Sequence, residues 1–121
     1  MESADKLIQS VELWADQRGL LVPENRPRQM LKVMEEVGET AAALARGNRR
    51  ELKDGIGDSI VTLIILAAQS GFTATECLEA AYNEIKGRKG KTVDGVFVKE
   101  SEWGTWPTYI SRGNVRFFLR L

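Results

Sequence analysis

Two short acidic segments stand out in this chain, Glu35-Glu36-Val37-Gly38-Glu39 and Asp54-Gly55-Ile56-Gly57-Asp58. The same chain has no histidine and a single cysteine, Cys77. Without imidazole, Ser-His-Asp and Cys-His catalysis and His-ligated zinc are excluded. Acid–base work then falls to carboxylates, lysine, tyrosine or metal-activated water. Grouped carboxylate oxygens suit hard cations, magnesium above all, and magnesium commonly shares its shell with phosphates. Metal-assisted chemistry on a phosphate is the reaction type these residues open.

The helices that carry the acids decide whether they can act together. On the second predicted helix the apolar face is Met30, Met34, Val37, Ala41 and Leu44. At about 100° per residue, Glu35, Glu36 and Glu39 cover the arc opposite it. Taken alone, that arc reads as the solvated side of an amphipathic helix. On the third helix Glu51, Asp54 and Asp58 follow i, i+3, i+7 spacing, and their stripe runs on into Val61 and Ile65. This helix is apolar nearly all round from Ile60 to Ala68, so it is expected to be surrounded by protein, with Asp58 partly buried. Arg49, Arg50 and Lys53 lie at its exposed start, poorly placed to neutralise Asp58. A bound cation would relieve the repulsion and desolvation of such a stripe. Gly38, Gly55 and Gly57 lower helix propensity, and glycines inside helices usually have a packing or functional reason.

Periodicity and punctuation predict four helices. They span about Ser3 to Arg18, Pro27 or its neighbour to Arg46, Arg49 to Ser70-Gly71, and from after Thr73 to about Lys86, with Thr73 or Thr75 as the N-cap of the last. Pro23 and Pro27 interrupt the chain between the first two. Short connections between the second, third and fourth imply antiparallel neighbours. The expected fold is therefore all-α, an antiparallel four-helix bundle with a short C-terminal hairpin and tail. Asp94-Gly95 within Lys91–Val98 has two-residue hairpin turn chemistry. The bundle and hairpin form one expected domain, residues 1–100. The tail, residues 101–121, holds Trp103, Trp106, Tyr109, Phe117 and Phe118 and suggests a strand in 115–121. It is read as an appendage packed on the bundle or a neighbouring subunit, or else as a partner-binding segment.

Length and composition bound the rest. The chain has 121 residues, 43% hydrophobic and 28% charged, enough to build a core without disulfides. Lys+Arg and Asp+Glu both number 17, so no global field draws it to nucleic acid. A lone cysteine suits a reducing compartment, no signal-peptide pattern opens the chain, and the longest apolar stretch is too short to span a bilayer. A cytoplasmic protein without nucleic-acid or membrane partners is expected. Helix three is apolar on more faces than the other helices can cover, which points to a homodimer or a dimer of dimers, a homotetramer, with the active site near an interface.

Several blocks together resemble the MazG-like family of all-α nucleoside triphosphate pyrophosphohydrolases. They are Trp14-Ala15-x-x-Arg18-Gly19, Gln29-x-x-Lys32, Glu35-Glu36-x-x-Glu39, Asp54-x-Ile56-Gly57-Asp58, and Ala80-Ala81-Tyr82-Asn83-Glu84-Ile85-Lys86-x-Arg88. The likeness runs from about Leu7 to Glu100 and is closest to small phage- or mobile-element-type members. It implies hydrolysis of a (deoxy)nucleoside triphosphate to the monophosphate and pyrophosphate, dependent on Mg²⁺ with Mn²⁺ as a substitute, with attack at the α-phosphate. In the family pattern, EExxE followed by ExxD, the metal ligands match Glu36, Glu39 and Asp58. The first acid of ExxD falls on Gly55, a departure for which Asp54, one turn from Asp58, is the candidate substitute. Glu35 is left to ligate a second metal, position a water, or support the ligands from behind, and Glu35 and Glu39 are the catalytic candidates. Asn83 and Lys86 match nucleotide-contact positions, with Arg88 beside them. Lys86, Arg88, Lys89 and Lys91 also fit the simpler role of complementing a helix C-terminus. Trp14 is either a core residue or a stacking surface for a base. Gln29 and Lys32, just before the acidic motif, reach a ligand or a neighbouring subunit, or serve as ordinary surface residues. The alternatives are a non-catalytic helical oligomerisation module with structural cation sites, and a pyrophosphohydrolase for another nucleotide such as phosphoribosyl-ATP.

Overall fold

The protein is described from a computed structural model covering residues 1–102, 109–112 and 115–118. Helix α1 (Ala4–Gln17) is capped by Ser3, whose hydroxyl accepts from the Lys6 N–H. A 3₁₀ turn at Pro23–Asn25 leads into α2 (Arg26–Arg46), with Pro27 in its first turn, where a missing N–H costs nothing. Gly47, at φ 67°, ends α2 in the left-handed backbone that reverses the chain, and Asn48 then caps α3 (Arg49–Gln69) by accepting from the Glu51 N–H. The N-cap of α4 (Ala74–Ile85) is Thr73: its hydroxyl accepts from the Glu76 N–H while the Glu76 carboxylate accepts from the Thr73 N–H.

Strands β1 (Gly90–Val93) and β2 (Val96–Lys99) pair antiparallel around Asp94 and Gly95, at φ 51° and 81°. That is the paired positive-φ turn the Asp-Gly sequence predicts. A second antiparallel pair joins β3 (Tyr109–Arg112) and β4 (Val115–Phe118), so the strand suggested in the tail is present at Val115–Phe118. Trp103 and Trp106, part of the aromatic character read in that tail, lie outside the described residues.

The chain forms two compact units, Met1–Ala80 and Ala81–Leu121. In the first, α2 and α3 make an antiparallel hairpin and α1 packs on α3. The hairpin closes at Gly55. A Cβ there would stand 2.5 Å from Thr40 Oγ1 and 3.2 Å from Thr40 Cα, so only glycine allows this approach. The Thr40 and Ser59 hydroxyls meet 3.4 Å apart at this crossing, and each is satisfied on its own helix, Thr40 donating to the Glu36 carbonyl and Ser59 to the Gly55 carbonyl. Further along, the Gln29 side-chain amide donates to the Thr62 carbonyl at 3.1 Å. At the far end of α3 the Gln69 amide donates to the Leu20 carbonyl at 2.8 Å, tying the segment after α1 to the core.

The face that α2 buries differs from the one its hydropathy suggests. Val33, Glu36 and Ala43 are buried and Gln29 and Thr40 half-buried, whereas Met30, Met34, Val37, Ala41 and Leu44 are all exposed, Leu44 at 65%. On α3 the row of Leu52, Gly55, Ser59 and Thr62 is covered, and Ile56, Ile60 and Leu63 remain exposed. In antiparallel helices, positions one residue after the contact row fall on the same side of the hairpin, and positions one residue before it fall on the other. Both bare apolar stripes therefore share one face. Glu35 and Glu39 share the opposite face with Glu51, Asp54 and Asp58.

Two expectations need correction. Asp58 is exposed rather than partly buried, because the side of α3 that bears it is not covered by α2. The four helices also do not form one antiparallel bundle within the chain: through the short Ser70–Thr73 connection the chain bends by 101° between α3 and α4. The short loop limits reach but does not impose a full reversal, and Gly71 at φ 82° with Phe72 bonded back to the Ala67 carbonyl sets the turn. No single helix among the described residues is long and apolar enough to cross a membrane.

Replacing Gly55 with alanine is expected to destabilise the protein by about 1–3 kcal/mol through overpacking against Thr40. A Cβ on Gly57 meets nothing within 4 Å, so Gly57→Ala is expected to be neutral or stabilising by up to about 1 kcal/mol. Urea unfolding of the two variants beside the parent checks the contrast.

Candidate functional site

The close crossing at Gly55 brings the acid-bearing sides of α2 and α3 to one surface. Glu39, Ala42 and Arg46 of α2 and Glu51, Asp54, Gly55 and Asp58 of α3 line a single open hollow of about 330 Å³. Spacing on α3 alone places Glu51, Asp54 and Asp58 on one stripe; the fold adds Glu39 from the neighbouring helix. Arg46 and Ala42 were not anticipated. Their signal was available in the antiparallel pairing, which sets the i, i+3, i+7 row 39-42-46 beside the row 51-54-58.

Cations are distributed unevenly over these acids. Arg46 Nη2 donates to Glu51 Oε2 at 2.7 Å. Lys32 Nζ lies 3.2 Å from Glu35 Oε1 and 3.4 Å from Glu36 Oε1. The hydrogen bond to Glu35, then that to Glu36, raises the Lys32 ammonium above the ordinary lysine range, so it stays charged throughout neutral pH. Among the described residues no hydrogen bond or ion pair reaches the carboxylates of Glu39, Asp54 or Asp58. Glu36 stands apart from the other acids: it is only 9% exposed, points along the α2–α3 contact row, and does not line the hollow. Its carboxylate is turned to Lys32.

The donor set fits a hard cation. Beside the Arg46–Glu51 pair, the hollow offers the carboxylate oxygens of Glu39, Asp54 and Asp58, which among the described residues have no ion-pair partner. Magnesium keeps several waters and takes only one or two carboxylates plus substrate phosphates, so it needs no enclosed cage. Among the described residues no three His, Cys, Asp or Glu side chains converge on one point. Glu39, Asp54 and Asp58 border one hollow without meeting at its centre.

The remaining sequence candidates divide. Gln29 is half-buried with its amide committed to Thr62, a role in helix packing. Trp14 is 46% exposed, and the Arg18 guanidinium lies 4.3 Å from its ring centroid, so it belongs to the surface rather than the core. In the second unit Lys86 Nζ donates to Asn83 Oδ1 at 3.0 Å, and Arg88 pairs with Glu84 at 3.5 Å. Asn83 and Lys86 thus form a small polar cluster one turn long at the end of α4. Cys77 is free and exposed.

The structure is thus a helical hairpin with carboxylates gathered on one face. Residues 26–93, more than half of the chain, match the MazG nucleotide pyrophosphohydrolase domain, and the chain belongs to that family. The matched range takes in both acidic segments and Asn83, Lys86 and Arg88, but leaves out α1 and with it Trp14. Over 70 residues the chain is 37% identical to an uncharacterized 18.2 kDa protein from the rep–hol intergenic region of Haemophilus phage HP1 (strain HP1c1). That match covers 58% of this chain and 43% of the phage protein, so the chain spans less than half the length of that relative. No solved structure matches.

Like charges one turn apart on a helix repel by a few tenths of a kcal/mol. Asp58→Asn is therefore expected to raise the melting temperature slightly in EDTA and to diminish the rise that Mg²⁺ produces in the parent. Scanning calorimetry with and without Mg²⁺ reads both effects, and an unchanged Mg²⁺ response would detach Asp58 from any ion.

Proposed function

We propose that this protein hydrolyses a (deoxy)nucleoside triphosphate to its monophosphate and pyrophosphate with the help of Mg²⁺, for which Mn²⁺ can substitute. The observation that carries the proposal is the row of carboxylates, Glu39, Asp54 and Asp58, that borders one hollow in a MazG-family chain and has no ion-pair partner among the described residues. Glu36, Glu39 and Asp58 match the family's ligand positions. Gly55 stands where the pattern has a further acid, and the crossing with Thr40 leaves no space for a side chain there. Asp54, one position earlier and on the rim of the same hollow, takes over that charge.

The ion, when bound, offsets the charge of carboxylates and phosphates and makes a nearby water more acidic. The protein's own groups do the positioning. Glu39 is exposed on the hollow and within reach of both substrate and water. Glu35, exposed one turn before it, accepts a proton from the attacking water or orients that water. Lys32 offers an ammonium to the phosphates beside the acids. Asn83 and Lys86 match nucleotide-contact positions of the family, with Arg88 beside them.

The functional form is a homodimer or homotetramer. Among the described residues few large side chains are buried in one copy: the buried apolar ones are Ala15, Val33, Ala43, Ile64, Ile65 and Val98. Met34, Leu44, Ile56 and Ile60 lie exposed on the hairpin face opposite the acids. Covering each such side chain contributes about 1.5–3 kcal/mol, and a second hairpin of the same kind presents the matching surface.

Two outcomes follow. Incubation with a panel of dNTPs and NTPs is expected to release pyrophosphate only when Mg²⁺ or Mn²⁺ is present, and Glu39→Gln to lower kcat by about 10²–10⁴-fold with helix content unchanged. Undiminished turnover in that variant would remove the acidic hollow from the reaction. In sedimentation equilibrium, Ile60→Glu is expected to shift the protein toward the monomer, whereas Arg28→Glu, on the opposite face of the hairpin, leaves the association state as it was.

A further inference from the structure

Resting on the ion site just proposed, a more specific role falls to Lys32. Of the acids in the two motifs, only Glu36 is buried, and a buried charge is costly unless it is paired. The structure supplies that charge from one turn earlier on the same helix. Lys32 Nζ bridges Glu36 Oε1 at 3.4 Å and Glu35 Oε1 at 3.2 Å, while Glu36 is kept off the hollow that Glu39, Asp54 and Asp58 line. Lys32 and Glu35 are about half exposed, with side-chain exposures of 49% and 55%, so the ammonium stands at the solvent boundary. Nothing else among the described residues pairs with the Glu36 carboxylate.

We propose that Lys32 is a built-in competitor for the divalent cation: it holds Glu36 in the ion-free protein and yields that carboxylate when the ion enters. The exchange is one of charge for charge. A divalent ion brings two positive charges to oxygens that an ammonium serves with one, and the released ammonium gains a new partner in any phosphate delivered with the ion. Metal affinity is thereby held down in the absence of substrate and rises when a phosphate draws Lys32 away, a coupling that runs equally in both directions.

Mn²⁺ binding, followed by electron paramagnetic resonance without nucleotide, tests this directly. Lys32→Met is expected to tighten the Mn²⁺ Kd by roughly three- to ten-fold, the scale of removing one charged competitor, and Lys32→Arg to stay close to the parent. The same Lys32→Met protein is expected to melt below the parent in EDTA, where Glu36 has lost its partner, and to gain more than the parent from saturating Mn²⁺. Equal or weaker binding by Lys32→Met, with native circular dichroism, overturns the competitor role while the ion site stands. No Mn²⁺ binding by the parent overturns both. Lys32→Gln, which keeps a hydrogen-bonding side chain without the charge, is expected to behave as Lys32→Met and serves as the readout should the methionine variant not fold.

Discussion

The close approach of α2 and α3 at Gly55 is the constraint from which the rest of this molecule follows. With no side chain at that position, Thr40 seats against the backbone of α3 and the register of the hairpin is set. That register, more than hydropathy, decides which face of each helix is inside. It commits a mixed row, Val33, Glu36, Thr40 and Ala43 against Gly55, Ser59 and Thr62, to the helix–helix contact. The carboxylates are then left on one side and the larger apolar side chains on the other. A helix that follows its own apolar stripe would have turned Met34 and Leu44 inward and scattered the acids over the solvent side, where they could share nothing.

Charge balance on the acidic side follows from the same geometry. Arg46 reaches Glu51 across the hairpin, and Lys32 reaches Glu35 and Glu36 along α2. The acids nearest the crossing have no such neighbour. In water their mutual repulsion is modest, since the hollow is open, and so the protein tolerates them without a cation. In the proposed reaction the cost would grow as a triphosphate approached, because its own charge would add to theirs, and a divalent ion would be the natural bridge. On the opposite side the exposed isoleucines, leucines and methionines create a parallel demand, for apolar cover rather than for charge.

The sequence carried the local structure well, because local structure depends on neighbours in the chain. Thr73 ahead of Glu76, Gly47 after Arg46 and Asp94-Gly95 between apolar residues each specify a cap or turn through contacts a few residues long. The acidic segments and their family likeness were readable for the same reason, as short spacings. What depended on the partner helix was not. Glycine at position 55 reads as a missing acid until Thr40 is seen across from it, and the burial of Glu36 is invisible while the apolar stripe one residue away offers a better hydrophobic face. Asp58 was expected inside because α3 is apolar nearly all round, yet apolar surface on a helix does not say which part of it a single copy can cover. Arg46 went unnoticed because its partner lies across a reversal of the chain, and the turn between α3 and α4 depends on Gly71 and Phe72 rather than on loop length.

A crystal grown with Mn²⁺ and measured at its absorption edge would locate the ion without reference to any assay. The expected result is an anomalous peak on the α2–α3 hairpin, with Glu39 and Asp58 among its oxygen ligands and Lys32 moved off Glu36. A peak elsewhere on the molecule, or none at that hollow at saturating Mn²⁺ while the Lys32–Glu36 pair persists, would contradict the claim that this acidic face exists to hold a divalent ion.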